Sequence, residues 1–150
     1  MMPDQPLVSR VGVLAAAWDR ANGDETFPAA RLGQLRSAGA LAAFRRLAEP
    51  ADVAALRATL RLIGGADLSL GRVFEGHVNA VQLVEAYGDE AQRATLDADL
   101  AAGRVFGVWN TEPSPGMTLR AADGGHLLSV AKHFAPDSRW PPSAARSVIP

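Results

Sequence analysis

The chain has no cysteine. That excludes disulfide scaffolds, thiolate zinc sites and cysteine nucleophiles. It has little charge of either sign to spare: 15 basic residues face 16 acidic ones. No basic footprint for nucleic acid or anionic membrane follows, and neither partner is expected. The 3 histidines, His77, His126 and His133, are too few and too scattered for a metal site, so none is expected. Long apolar runs are also lacking. The run 11–17 is too short to span a bilayer and ends at Trp18-Asp19-Arg20. Residues 1–10 carry Asp4 and two prolines and show neither a basic n-region nor a cleavage pattern, which points to a cytoplasmic protein.

What is present is a globular balance, 48% hydrophobic and 21% charged, in 150 residues. That suits one domain, or one domain and part of another. Alanine is abundant, and Lys132 is the sole lysine beside many arginines, the usage of a GC-rich gene. Alanine raises the apolar fraction without filling much core, so each Leu, Val, Phe and Trp carries more weight.

Apolar residues at Leu7, Val11, Leu14 and Trp18 predict a helix over 7–21, broken by Asn22-Gly23-Asp24. Pro28 suits the first turn of a second helix, with Thr26 as a cap, a stripe of Leu32, Leu35 and Ala38, and Gly39 as its end. Residues 41–49 read as irregular or a short turn. Pro50 opens a third helix that turns Val53, Leu56, Leu60 and Ile63 inward, with Gly64-Gly65 as its expected stop. The longest helix is expected over 67–87, with Leu70, Val73, Phe74, His77, Val78, Val81, Val84 and Ala86 on its apolar face. Gly88 ends it, and Asp67 and Asp89 are candidate caps. A last helix runs to about Ala102, with Gly103 as its stop.

Beyond Gly103 the texture changes to a β-rich run at Val105, Phe106, Val108 and Trp109, then a loop over 111–116. Strands are expected over 117–122 and 126–134, with Asp123-Gly124-Gly125 as a hairpin turn rather than a phosphate cradle. Helices first and strands after imply α+β or two domains, not alternating βαβ. The proline-rich tail, 136–150, has no apolar period and is expected to be poorly ordered.

Four signals fall in a fixed order. Phe27-Pro28 leads to Ser37-Ala38-Gly39-Ala40. The long helix carries Ser69 and His77. Tyr87-Gly88-Asp89-Glu90-Ala91-Gln92-Arg93 precedes Leu100-Ala101-Ala102-Gly103. Trp109-Asn110-Thr111-Glu112-Pro113 precedes Gly116. Over roughly residues 25–135 this order resembles the N-terminal half of an acyl-CoA dehydrogenase. The resemblance implies a mainly α fold, with a helical N-terminal bundle of that type at 1–103 and a truncated antiparallel β segment at 104–135; the tail at 136–150 lies beyond it and is expected to be disordered from its composition.

The resemblance also implies a chemistry. Family members are FAD-dependent oxidoreductases of fatty acid metabolism, and homo-oligomers, that act on the CH–CH group of an acyl-CoA. A carboxylate base takes the α-proton and the flavin accepts the hydride. By the same resemblance, main-chain groups of Val108, Trp109, Asn110 and Thr111 face the flavin ring, and Phe134 lies in the second segment that passes it. Glu112 shapes a turn and is not a base; no catalytic residue is assigned. Trp109 either stacks near flavin or fills an interface between helices and sheet. Where the family has a Ser that contacts flavin or substrate, this chain has Met117, and where it has a flavin-contacting Ser or Thr, this chain has Pro136. The C-terminal bundle that supplies the base and much of the FAD site has no counterpart here. The expectation is therefore an N-terminal fragment, truncated or frameshifted near codon 135 and inactive alone. A small helical interaction module without catalysis, or a remnant, is the alternative.

Overall fold

The computed structural model describes residues 5–18, 28–108, 118–122 and 125–129. The chain divides into two compact units, Met1–Gly107 and Val108–Pro150. Among its described residues the first holds five helices and no strand: α1 Leu7–Ala17, α2 Ala29–Ser37, α3 Pro50–Ala66, α4 Leu68–Tyr87 and α5 Glu90–Ala101. In the second, β1 (Thr118–Ala122) pairs antiparallel with β2 (Gly125–Ser129), Thr118 opposite Ser129 and Ala122 opposite Gly125. Gly125 thus belongs to a strand rather than to the expected turn. The chain is mainly helical.

The helical unit is organised around α4. One face of that helix buries Leu70, Phe74, His77, Val78, Val81 and Glu85. Leu70, Phe74 and Val78 join Val11, Ala15, Trp18, Leu32, Leu35, Ala40, Leu41 and Ile63 in the main core. Val81 packs with Leu96 and Leu100 of α5, and Phe106 leans on them. Val84 is half-buried, but Ala86, expected on the apolar face, is exposed. An alanine at helical spacing is a weak marker of the inward face, because it has little surface to bury. Thr59 is the converse case, a polar residue fully buried on α3.

Local chemistry sets the helix ends. Asp67 accepts a hydrogen bond from the Leu70 amide at 2.9 Å and caps α4. Asp89 and Gln92 form a reciprocal capping box on α5, both bonds at 2.8 Å. α2 and α5 both close in Schellman turns. Gly39 and Gly103, at φ 79 and 74, take the left-handed position that favours glycine. The Ala40 and Arg104 amides reach back to Leu35 and Asp99 carbonyls, each at 2.9 Å. Arg36 adds a bond to the Ala101 carbonyl at the end of α5, at 3.2 Å. Arg31 pairs with Asp67 and lies 5.8 Å from the Trp18 ring centre, tying the end of α1 to α2 and to the start of α4.

Three expectations need correction. Pro28 is the N-cap of α2, not a residue of its first turn; Thr26 lies outside the described residues. Gly64 and Gly65 do not stop α3, which runs on to Ala66. The close contact of α3 with α4 requires a glycine on the other helix: a β-carbon on Gly71 of α4 would lie 2.8 Å from the Gly64 Cα, so the two helices meet closely there, whereas a β-carbon on Gly64 itself would meet open space. Residues 104–108 form no strand. Val105 packs on the main core instead, and the helical unit continues past Gly103 to Gly107.

Two glycines of α4 should therefore respond oppositely to alanine. Gly71→Ala forces α3 and α4 apart and should cost on the order of 1–3 kcal/mol. Gly76, with open space where a β-carbon would sit, should gain about 0.4–1 kcal/mol as alanine. Urea midpoints of the two variants check this; a stable Gly71→Ala protein would contradict the close approach. Leu70→Ala and Phe74→Ala, both at fully buried sites, should each lose on the order of 2–5 kcal/mol in the same assay.

Candidate functional site

Residues 40–47 cross the helical unit without regular structure, so their main-chain groups need partners from outside the segment. α4 provides them. The Leu41 carbonyl lies 2.8 Å from His77 Nε2. The Phe44 carbonyl accepts from Gln82 Nε2 at 2.9 Å. Arg45 donates to Glu85 through Nε, at 2.6 Å, and through its terminal nitrogen, while Arg46 reaches the other carboxylate oxygen at 3.2 Å. Segment and helix run in the same direction, with Leu41 at His77, Phe44 at Gln82 and Arg45 at Glu85. Phe44 has φ 60, uncommon for a bulky residue, and the Gln82 bond on its carbonyl helps hold it there.

His77 also joins a second irregular segment. Its Nδ1 accepts from the Phe106 amide at 3.1 Å, and its ring stacks on the Phe106 ring with centroids 5.8 Å apart. The partner types fix the tautomer. A carbonyl can only accept, so Nε2 carries the hydrogen; an amide can only donate, so Nδ1 is bare. The imidazole is neutral, and burial pushes its pKa below 6.5 although the Leu41 carbonyl acts the other way.

Glu85 is the charged counterpart. Burial alone would raise its pKa, but the hydrogen bonds and charges of Arg45 and Arg46 outweigh that and hold it below the ordinary 4.5. Arg45 also pairs with Asp97 on α5 at 2.6 Å, so its guanidinium links the segment to two helices. Every ring nitrogen and carboxylate oxygen in this row is engaged. The row positions the backbone; it offers neither a free base nor an open ligand position. Among the described residues, no group of three or more His, Asp or Glu is placed to hold a metal ion.

A shallow, open groove of about 530 Å³ lies at the start of α3, lined by Leu47, Pro50, Val53, Ala54 and Arg57 among others. Its other charged residue, Glu49, donates its amide to Asp52 at 2.9 Å as part of the helix cap.

Of the residues assigned to flavin by resemblance, Val108 is described and half-buried. Trp109, Asn110, Thr111 and Phe134 lie outside the described residues, as do Glu112, His133 and the tail 136–150. The described residues thus bring none of the expected flavin contacts together. No protein-family model, curated protein or solved structure matches the chain. None of the described helices is long and apolar enough to cross a membrane.

Sequence reasoning missed Gln82, Glu85, Arg45 and Arg46. The signal was there: Glu85 falls on the buried stripe of α4, where a carboxylate requires a cation, and Arg45-Arg46 sits in the irregular stretch between α2 and α3.

Glu85→Ala should cost about 1–3 kcal/mol at neutral pH, the penalty for losing a charge-assisted bond. The lower end is expected, because Arg45 is one-third exposed and Arg46 mostly so, and water can solvate both. The sign with pH follows from the lowered pKa. The folded state binds fewer protons than the unfolded one, so the contribution is present above pH 4.5 and is lost as pH falls through the folded value. Denaturation between about pH 6 and pH 3 should be steeper in the natural protein than in Glu85→Gln; parallel curves would remove Glu85 as the anchor.

Proposed function

We propose that the chain is the helical N-terminal part, with the start of the β-domain, of an acyl-CoA dehydrogenase-type flavoprotein that acts in the cytoplasm. One observation carries the reading. The four sequence signals stand in the order of that family, and the unit that holds the first three has helices and no strand among its described residues and ends at Gly107, just before Trp109-Asn110-Thr111-Glu112-Pro113. In this reading FAD, when bound, takes a hydride from an acyl-CoA thioester. The chain's own part is to offer main-chain groups at Val108–Thr111 to the ring, with Phe134 beside them. α4 and the clasped segment hold the unit from which that stretch departs. The catalytic carboxylate belongs to the bundle that has no counterpart in these residues.

The 150 residues by themselves are expected to purify colourless and to show no acyl-CoA-dependent dye reduction. Met117 and Pro136 remove two hydroxyl contacts worth roughly 0.5–1.5 kcal/mol each, and the bundle's contacts are a larger loss. The deciding experiment is to read the gene beyond codon 135 in all three frames and to express the longest family-like product. A yellow protein bleached by an acyl-CoA supports the proposal. A locus with no such frame, or a product that takes up no flavin, rejects it.

Exposed apolar side chains favour one other reading. Leu68 and Tyr87, at 80% and 84% exposure, and Leu83 stand on the outer side of α4, and Val13 stands on α1. Such residues suit a helical interaction module without catalysis, which the flavin-free outcome would leave standing.

A further inference from the structure

We propose that His77 is an acid-released latch: one buried imidazole holds the Leu41 carbonyl with Nε2 and the Phe106 amide with Nδ1, and a proton on Nδ1 frees the chain after α5. The proposal does not depend on the flavin reading.

The argument begins from hydrogen-bond direction. In the neutral ring the two nitrogens have opposite roles, and each meets the partner it needs. A protonated ring has two donors. The bond to Leu41 survives, but at Nδ1 a hydrogen then confronts the Phe106 amide hydrogen. The latch opens on one side only, so residues 40–47 stay clasped, held also by Gln82 and Glu85. Residues 104–107 keep the Schellman bond of Arg104, its ion pair with Asp99, and the packing of Val105 and Phe106.

Among the described residues, no charged group is bonded to the ring. On α4, Glu75 is bonded to Arg72 and Asn79, and Glu85 to Arg45 and Arg46 of the clasped segment. From α5, Arg93 donates to the Glu85 carbonyl, Asp97 binds Arg45, and Asp99 binds Arg104 of the following chain. On α3, Arg57 and Arg61 are exposed and Asp52 accepts from the Glu49 amide. None of these contacts reaches the imidazole. With its affinity for a proton lowered by burial, the folded ring binds fewer protons than the unfolded one. The latch is whole above pH 6.5 and weakens as pH falls through the folded value. Opening frees the Phe106 amide and loosens the last residues of the helical unit beyond Arg104, which Asp99 still holds.

The test is amide exchange by NMR on the full chain at about pH 7.5 and about pH 5, corrected for the intrinsic rate. Protection of the Phe106 amide should fall at least about tenfold on acidification while the amides in the middle of α4 and α5 keep theirs. In His77→Gln, whose side chain does not titrate in this range, the difference between the two pH values should vanish. The nitrogen shifts of His77 in the natural protein, which need no variant, should report hydrogen on Nε2 at neutral pH. Equal protection of Phe106 at both pH values overturns the latch. So does simultaneous loss across α4, which is global unfolding, or a hydrogen found on Nδ1.

Discussion

A buried main-chain carbonyl must find a donor, and that requirement shapes the helical unit. Residues 40–47 lie against α4 with Ala40 and Leu41 in the core, yet they form neither helix nor strand. The Ala40 and Ala43 amides bond to main-chain carbonyls, but the Leu41 and Phe44 carbonyls rely on side chains, so α4 carries His77, Gln82 and Glu85 on or beside a face that is otherwise apolar. The polar row costs hydrophobic burial on that face. In return it fixes the segment in one register, since a donor, an amide and a carboxylate in sequence match only one arrangement of carbonyls and arginines.

The remaining helices meet this arrangement with ordinary means. α1 and α2 contribute Val11, Ala15, Leu32 and Leu35 to the main core, and the Trp18 indole donates to Gln34 Oε1 at 2.6 Å where the two helices come together. α5 covers the far end of α4 with Leu96 and Leu100 and leads by its Schellman turn into the chain that returns to His77. One imidazole therefore stands where two irregular segments and the central helix meet.

The apolar stripes of the helices were legible because large side chains repeat at helical spacing, and the caps because Asp67, Asp89, Gly39 and Gly103 act through local geometry. Gly64-Gly65 misled for the opposite reason. A glycine that ends a helix and one that merely sits inside it look alike in sequence, and the glycine that the close approach of α3 and α4 does require, Gly71, lies on the other helix. Ala86 misled because alanine is at home on either face. His77 was legible as a packed, bonded histidine, but not which backbone groups it serves, because both partners are main chain and leave no mark in the sequence. Of the residues given to flavin by resemblance, Val108 alone is described, and its half-buried side chain says nothing of a ring that main-chain groups would touch.

The contact of Gly64 with Gly71 also bears on folding order. The two residues are close in sequence, so joining them closes a very short loop at small entropic cost. α3 and α4 can therefore pair before the longer-range bonds that join residues 41–45 to 77–85 are made. The hairpin is expected to be the folding nucleus, with φ-values near one at Ile63 and Leu70 and near zero at Phe106. On that order the clasped segment and the His77 junction form late, which leaves them the parts of the unit able to open while the hairpin stays folded.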